Sequence, residues 1–119
     1  MKKQKICIIG DGLSGLITTL LLGKLDLQID LISSKLKKKK DNRTTAISPS
    51  NHTFLSKNLF KKNSKLFFKC KKIKLYQEKE NNSLFNFMNF ENPNTGLMYI
   101  AENKKLKSIL TSHLKKNKK

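Results

Sequence analysis

The residues best suited to chemistry in this chain are Gly10, Asp11, Gly12, Leu13, Ser14 and Gly15, which follow one another in the spacing G-x-G-x-x-G. In such a turn the first glycine permits a sharp bend. The second leaves out the Cβ that would stand between the backbone and a pyrophosphate. The third lets a following helix pack closely on the preceding strand. The phosphates would then rest on free N–H groups at the helix amino terminus, where the helix dipole favours an anion. The spacing alone is a weak signal, and its meaning comes from standing between a strand and a helix.

Those elements are present. Ile6–Ile9 is a short apolar run, as expected of a strand buried on both faces of a parallel sheet. Leu16–Leu25 predicts a helix with Leu16, Leu20 and Gly23 on its buried side, and Ile29–Ile32 predicts a second strand. Strand, glycine turn, helix and strand in this compass form a βαβ unit. The expected fold class is α/β, a Rossmann-like dinucleotide-binding unit with part of an antiparallel β insertion. Residues 1–60 would form the βαβ unit and its following loop, 61–102 the insertion, and 103–119 a helix returning to the first unit, with a basic tail. Ser33–Asn42 is polar and predicts a loop, Pro49 is expected to break the segment before it, and Thr53–Phe60 is weakly helical. Lys71–Tyr76, Leu84–Phe90 and Leu97–Ala101 predict one small antiparallel sheet, with turns at Asn81 and Pro93–Gly96. Leu106, Ile109, Leu110 and Leu114 recur at helical spacing after Asn103.

The remaining candidates are fewer. A carboxylate at the end of the second strand normally takes the ribose hydroxyls of a dinucleotide; Ser33 stands there, and its hydroxyl makes a weaker contact. Asp11 places a carboxylate inside the phosphate turn and is compatible with an anion only if its side chain points away. Arg43 is the lone arginine of the chain, which suggests a site for a forked donor, against the plain reading of a polar loop. His52 and His113 have no carboxylate or cysteine cluster nearby and read as packing or surface residues. Phe85, Phe87 and Phe90 have strand spacing and read as core more readily than as a pocket lining. No nucleophile–base–acid set stands out, so no catalytic residue and no metal ligand is assigned.

Lys and Arg number 26 against 8 Asp and Glu, a net charge of +18. A nucleic-acid surface would favour arginine, whose planar donors bind phosphates and base edges bidentately. The excess is instead lysine, accompanied by Asn and Ile, the bias that A- and T-rich codons produce. Cys7 and Cys70 belong to no CxxC pair, and Cys7 reads as a small core residue of the first strand. The apolar stretch reaching Leu22 is interrupted by Asp11 and three glycines, too broken for a membrane span or a leader peptide. The chain is therefore expected in the cytoplasm.

With these residues in view, the chain resembles the amino-terminal part of the FAD-dependent aromatic-ring monooxygenases, and within them the ubiquinone-biosynthesis hydroxylases such as the 2-octaprenyl-6-methoxyphenol hydroxylases. Ile6–Gly15 is similar to that family's opening strand and turn. Asp41-Asn42-Arg43-Thr44-Thr45-Ala46-Ile47-Ser48 resembles its D-x-R-T-x-A-L segment, and Gly96–Leu110 its G-x-x-V-x-N-x-x-L-x-x-x-L stretch. The resemblance implies that Arg43 contacts FAD and that Asn103 lies near the ribityl chain. It implies a reaction in which NAD(P)H reduces FAD and O2 hydroxylates a polyprenyl phenol, with the cofactor carrying the chemistry. A polyprenyl substrate implies contact with the inner membrane face, which the lysine excess would assist. Ser33 replaces the family's usual Glu. The family is about three times longer, judged from typical domain sizes, and its second FAD motif, a Gly-Asp with neighbouring Ala, His and Pro, is absent. A truncated or decayed product, inactive alone, is therefore expected. The alternatives are another FAD- or NAD-binding oxidoreductase fragment and a small basic module for nucleic acid or anionic membrane.

Overall fold

The computed structural model describes residues 3–34, 41–60 and 65–117. Strand β1, Gln4–Ile9, leads through the glycine turn into helix α1, Leu13–Leu22, and strand β2, Leu27–Ile32, returns parallel to β1 with Ile6 opposite Ile29. The helix starts earlier than its apolar spacing suggests because Gly12 serves as its N-cap. Gly23 is the exposed C-cap of α1 and does not join its buried side, which Leu16 and Leu20 occupy. The expected loop over Ser33–Asn42 falls mostly at 35–40, outside the described residues.

The β1–β2 pair is covered on one side only. Ile6, Ile8, Ile29 and Leu31 alternate with exposed residues, and α1 packs against this pair. The opposite face carries Cys7, an ion pair between Lys5 and Asp30 at 3.0 Å, and Ile9 and Ile32, which are 83% and 52% exposed. This corrects two expectations: β1 is not buried on both faces, and Cys7 is not a core residue. The physical reason is that side chains alternate across a strand, so a single covering helix buries only one set.

Strand β3, Thr44–Ile47, was not distinguishable from a loop by its sequence. Pro49 follows the end of β3, as expected, and also begins helix α2, Pro49–Leu55, as its first residue, with Ser48 Oγ accepting from the Asn51 amide at 3.2 Å. A π-helical turn, Ser56–Phe60, follows and buries Leu59 and Phe60. Strand β4, Phe68–Cys70, and strands β5, Lys72–Glu78, β6, Leu84–Glu91, and β7, Met98–Glu102, complete the strands, and helix α3 spans Asn103–Lys116.

The antiparallel strands do not form one sheet as expected. β7 lies between β3 and β4, while β5 and β6 form a separate hairpin. The hairpin turns through Asn82, whose φ of 60° is left-handed, and the Pro93–Gly96 turn uses Gly96 at φ 77°. Phe85, Phe87 and Phe90 are 50%, 50% and 46% exposed, which corrects their assignment to a core. A two-stranded hairpin has no sheet-on-sheet layer of its own to bury aromatic rings beneath.

The core is built by the two long helices. Leu16 and Leu20 of α1 meet Leu106 and the fully buried Leu110 of α3, joined by Leu59, Phe60, Leu66 and Ala101. Each such leucine contributes about 1.5–3 kcal/mol by leaving water. Thr19 is buried among them and donates to the Gly15 carbonyl at 2.7 Å, so its hydroxyl is satisfied. The packing of α3 on α1 brings the start of α3 to the glycine turn.

Candidate functional site

The turn between β1 and α1 has the geometry that its glycines predict. Gly10 adopts φ +109°, a region L side chains rarely enter, and its amide donates to the Ile32 carbonyl at 2.8 Å, tying β1 to the end of β2. A Cβ on Gly15 would overlap the Gly10 carbonyl oxygen and stand 3.2 Å from its carbon, so the helix can lie this close to the strand only with glycine there. A Cβ on Gly12 would meet nothing within 4 Å: the space in front of it is open. The first helical bond is from the Leu16 amide to the Gly12 carbonyl at 3.0 Å, and no side chain caps the terminus. The amides of Leu13, Ser14 and Gly15 thus have no acceptor within the helix. Ser33 lies one residue beyond β2 and is exposed.

A second group of residues gathers where β3 begins and α3 begins. The β3–β7 register sets Thr44 opposite Glu102, and the Asn103 amide donates to the Arg43 carbonyl at 3.0 Å. Asp41 accepts from Arg43 three times: the backbone amide at 3.0 Å, Nε at 2.9 Å and Nη2 at 3.1 Å. The forked donor anticipated from sequence is therefore engaged with a neighbouring carboxylate, while its side chain remains 81% exposed. Hydrogen bonds from Arg43 hold the Asp41 carboxyl well below the usual carboxylate range, and Asn103 adds to the shift. Asn103 Nδ2 reaches Asp41 Oδ2 at 3.5 Å, and its Oδ1 accepts from Thr45 Oγ1 at 2.5 Å. The Asn103 side-chain amide is thereby oriented by β3 on one side and by Asp41 on the other.

The two groups are linked by Lys107, one turn beyond Asn103 on α3, whose Nζ lies 3.3 Å from Asp11 Oδ2. Asp11 is thus directed toward a cation. Arg43, Asn103 and Lys107 line one open groove of about 1260 Å³ along α3, with Lys104, Lys115 and Lys116 further out. A smaller apolar pocket of about 330 Å³ lies beside the turn, lined by Leu13 and Ile17 of α1, Ile47 of β3, Phe54 of α2, and Phe60 and Phe67. Lys107 and this pocket were missed from sequence, since their residues come from distant elements and share no spacing.

His52 stacks on Tyr99 with ring centroids 3.7 Å apart and meets Phe67 edge-on at 4.8 Å, a packing role. Burial lowers its pKa below the ordinary histidine value. Among the described residues no three His, Cys, Asp or Glu side chains cluster to hold a metal, and no helix is long and apolar enough to cross a membrane.

No family model matches the chain, and no curated protein does. Solved structures do. The p-nitrophenol 4-monooxygenase PnpA from Pseudomonas putida DLL-E4 superposes with a TM-score of 0.69 over 97% of this chain, at 19% identity. The chain has the fold of part of that enzyme. HpxO from Klebsiella pneumoniae, solved with FAD and uric acid, matches 96% of the chain with a TM-score of 0.68 at 13% identity. The 2,6-dihydroxypyridine-3-hydroxylase from Arthrobacter nicotinovorans matches 92%, with a TM-score of 0.65 at 12% identity. The chain spans only 31%, 30% and 26% of these structures' lengths.

Proposed function

We propose that this chain is the FAD-holding amino-terminal part of a flavin-dependent monooxygenase that hydroxylates an aromatic ring. The observation that carries the reading is the glycine turn: open space at Gly12 stands before an uncapped helix terminus, in a fold shared with a structure solved with FAD. Residues 1–60 and 103–119 would form the cofactor part, and residues 61–102 the start of a substrate-facing part. Gly10, Asp11, Gly12, Leu13, Ser14 and Gly15 would surround the pyrophosphate, and Ser33 would reach the ribose. Asp41 would fix Arg43 at the groove, and Asn103, oriented by Thr45 and Asp41, would face the ribityl chain. When bound and reduced by NAD(P)H, FAD supplies the chemistry that places an oxygen atom from O2 on the ring. The chain's own contribution is binding and orientation.

The substrate in this reading is a polyprenyl phenol of ubiquinone biosynthesis. It is supported by the likeness of Asp41–Ile47 and Gly96–Leu110 to that family's segments. Such a substrate would place the protein in the cytoplasm at the inner membrane face, where lysines attract anionic lipid. A second reading, a basic module for nucleic acid or anionic membrane, is favoured by the lysines along the α3 groove. Fluorescence titration of FAD at increasing salt tests both. The proposal expects saturable FAD binding that weakens only modestly with salt. Absence of FAD binding, with tight and steeply salt-dependent binding to an oligonucleotide or anionic vesicles, would replace it by the second reading.

A further inference from the structure

We propose that Lys107 completes the anion site at the glycine turn, offsetting the Asp11 carboxylate and sharing its ammonium with the pyrophosphate of a bound dinucleotide. This rests on the dinucleotide reading above and assigns a role to a residue outside the glycine motif. Asp11 lies between Gly10 and Gly12, within the turn that is to receive an anion, and a carboxylate there opposes the favourable field of the helix terminus. Lys107 Nζ at 3.3 Å counters it, and both side chains are largely screened from water, at 35% and 30% exposure. Charges held in such surroundings interact more strongly than exposed ones.

The position of Lys107 is fixed by its neighbours in the chain. Leu106 and Leu110 are buried against α1, so the backbone that carries Lys107 cannot drift from the turn. Asn103 lies four residues earlier, on the same face of α3, and both line the groove that also contains Arg43. The lysine carries its positive charge on a flexible stem, so the ammonium can face both anions. The charge pair therefore turns an unfavourable residue of the motif into part of the binding site.

Calorimetric titration of the full chain with ADP, which shares the pyrophosphate and ribose with FAD, tests this without any turnover. Lys107→Met is expected to lose affinity on the order of tenfold, the effect of removing one cation from beside two phosphate charges. Asp11→Asn is expected to bind at least as tightly as the parent, and the double variant Asp11→Asn/Lys107→Met to regain most of the loss. Unchanged affinity in Lys107→Met, with ADP bound by the parent chain, would overturn the role of Lys107 alone. A loss in Asp11→Asn equal to that in Lys107→Met would overturn it too, since the pair would then merely fasten α3 to the turn. No ADP or FAD binding by the parent chain would overturn this role and the dinucleotide reading together. Should Lys107→Met fail to fold, Asp11→Asn and Lys107→Arg carry the test, with Lys107→Arg expected to retain binding and its loss of binding counting against the proposal.

Discussion

Replacing Gly15 with alanine probes the closest approach in the fold. The added Cβ would overlap the Gly10 carbonyl oxygen and lie 3.7 Å from the Ile8 side chain. That carbonyl belongs to a residue whose amide is bonded to Ile32 at 2.8 Å, so it cannot swing aside without loosening the end of the parallel pair. Because the Cβ meets a backbone atom, the cost lies at the upper end of the range for overpacking, about 3 kcal/mol, and alanine returns about 1 kcal/mol of helix propensity. A net destabilisation of about 2 kcal/mol follows, or roughly 8 °C in melting temperature at about 4 °C per kcal/mol for a domain of this size. Gly12→Ala is the matched control. Its Cβ enters open space at φ −68°, which alanine adopts freely. The lower rank of alanine as an N-cap is balanced by reduced unfolded-state entropy, so its melting temperature should stay within about 2 °C of the parent. Thermal unfolding followed by circular dichroism measures both. Equal melting temperatures for Gly15→Ala and the parent would refute the close helix–strand approach.

Leu110 is fully buried between α1 and α3, so Leu110→Ala should cost about 2–5 kcal/mol in urea denaturation, enough to leave much of a marginal domain unfolded. Asp41 has a folded-state pKa below its unfolded value near 3.8, so its contribution to stability is present above that value and fades as pH falls through the folded pKa. Arg43→Gln should move the Asp41 carboxyl titration up toward 3.8 in a carbon-detected NMR titration, and an unmoved curve would remove Arg43 as the cause. His52 has a folded pKa lowered by burial, so the unfolded chain takes up its proton first and stability declines as pH falls from 6.5 to the folded pKa. His52→Phe, which can keep the stack on Tyr99, should flatten the melting temperature across that window.

The first strand, turn, helix and second strand were legible because their signals are local: short apolar runs, glycines at fixed offsets, and leucines at helical spacing. β3 was not, because Thr44–Ile47 takes its strand character from pairing with β7, far along the chain. The exposure of Cys7 and of Phe85, Phe87 and Phe90 was hidden for a related reason: alternation shows which residues share a face, not whether another layer covers it. In the candidate site, Gly10 and Gly15 could be placed from sequence because each has a backbone requirement, and Gly12 by its fixed offset from them. Arg43 could be singled out as the lone arginine, yet its bond to Asp41 and the closeness of both to Asn103 depend on tertiary structure. The same holds for Lys107, whose approach to Asp11 exists only because α3 packs on α1.

The most direct test of the central claim is calorimetric titration of FAD into the parent chain and into Gly12→Val, with the fold of each monitored by circular dichroism. The account predicts binding by the parent and a loss of at least tenfold in the variant, which places methyl groups in the open space before α1 while leaving the fold intact. Equal affinities in two folded proteins, or none in either, would contradict it.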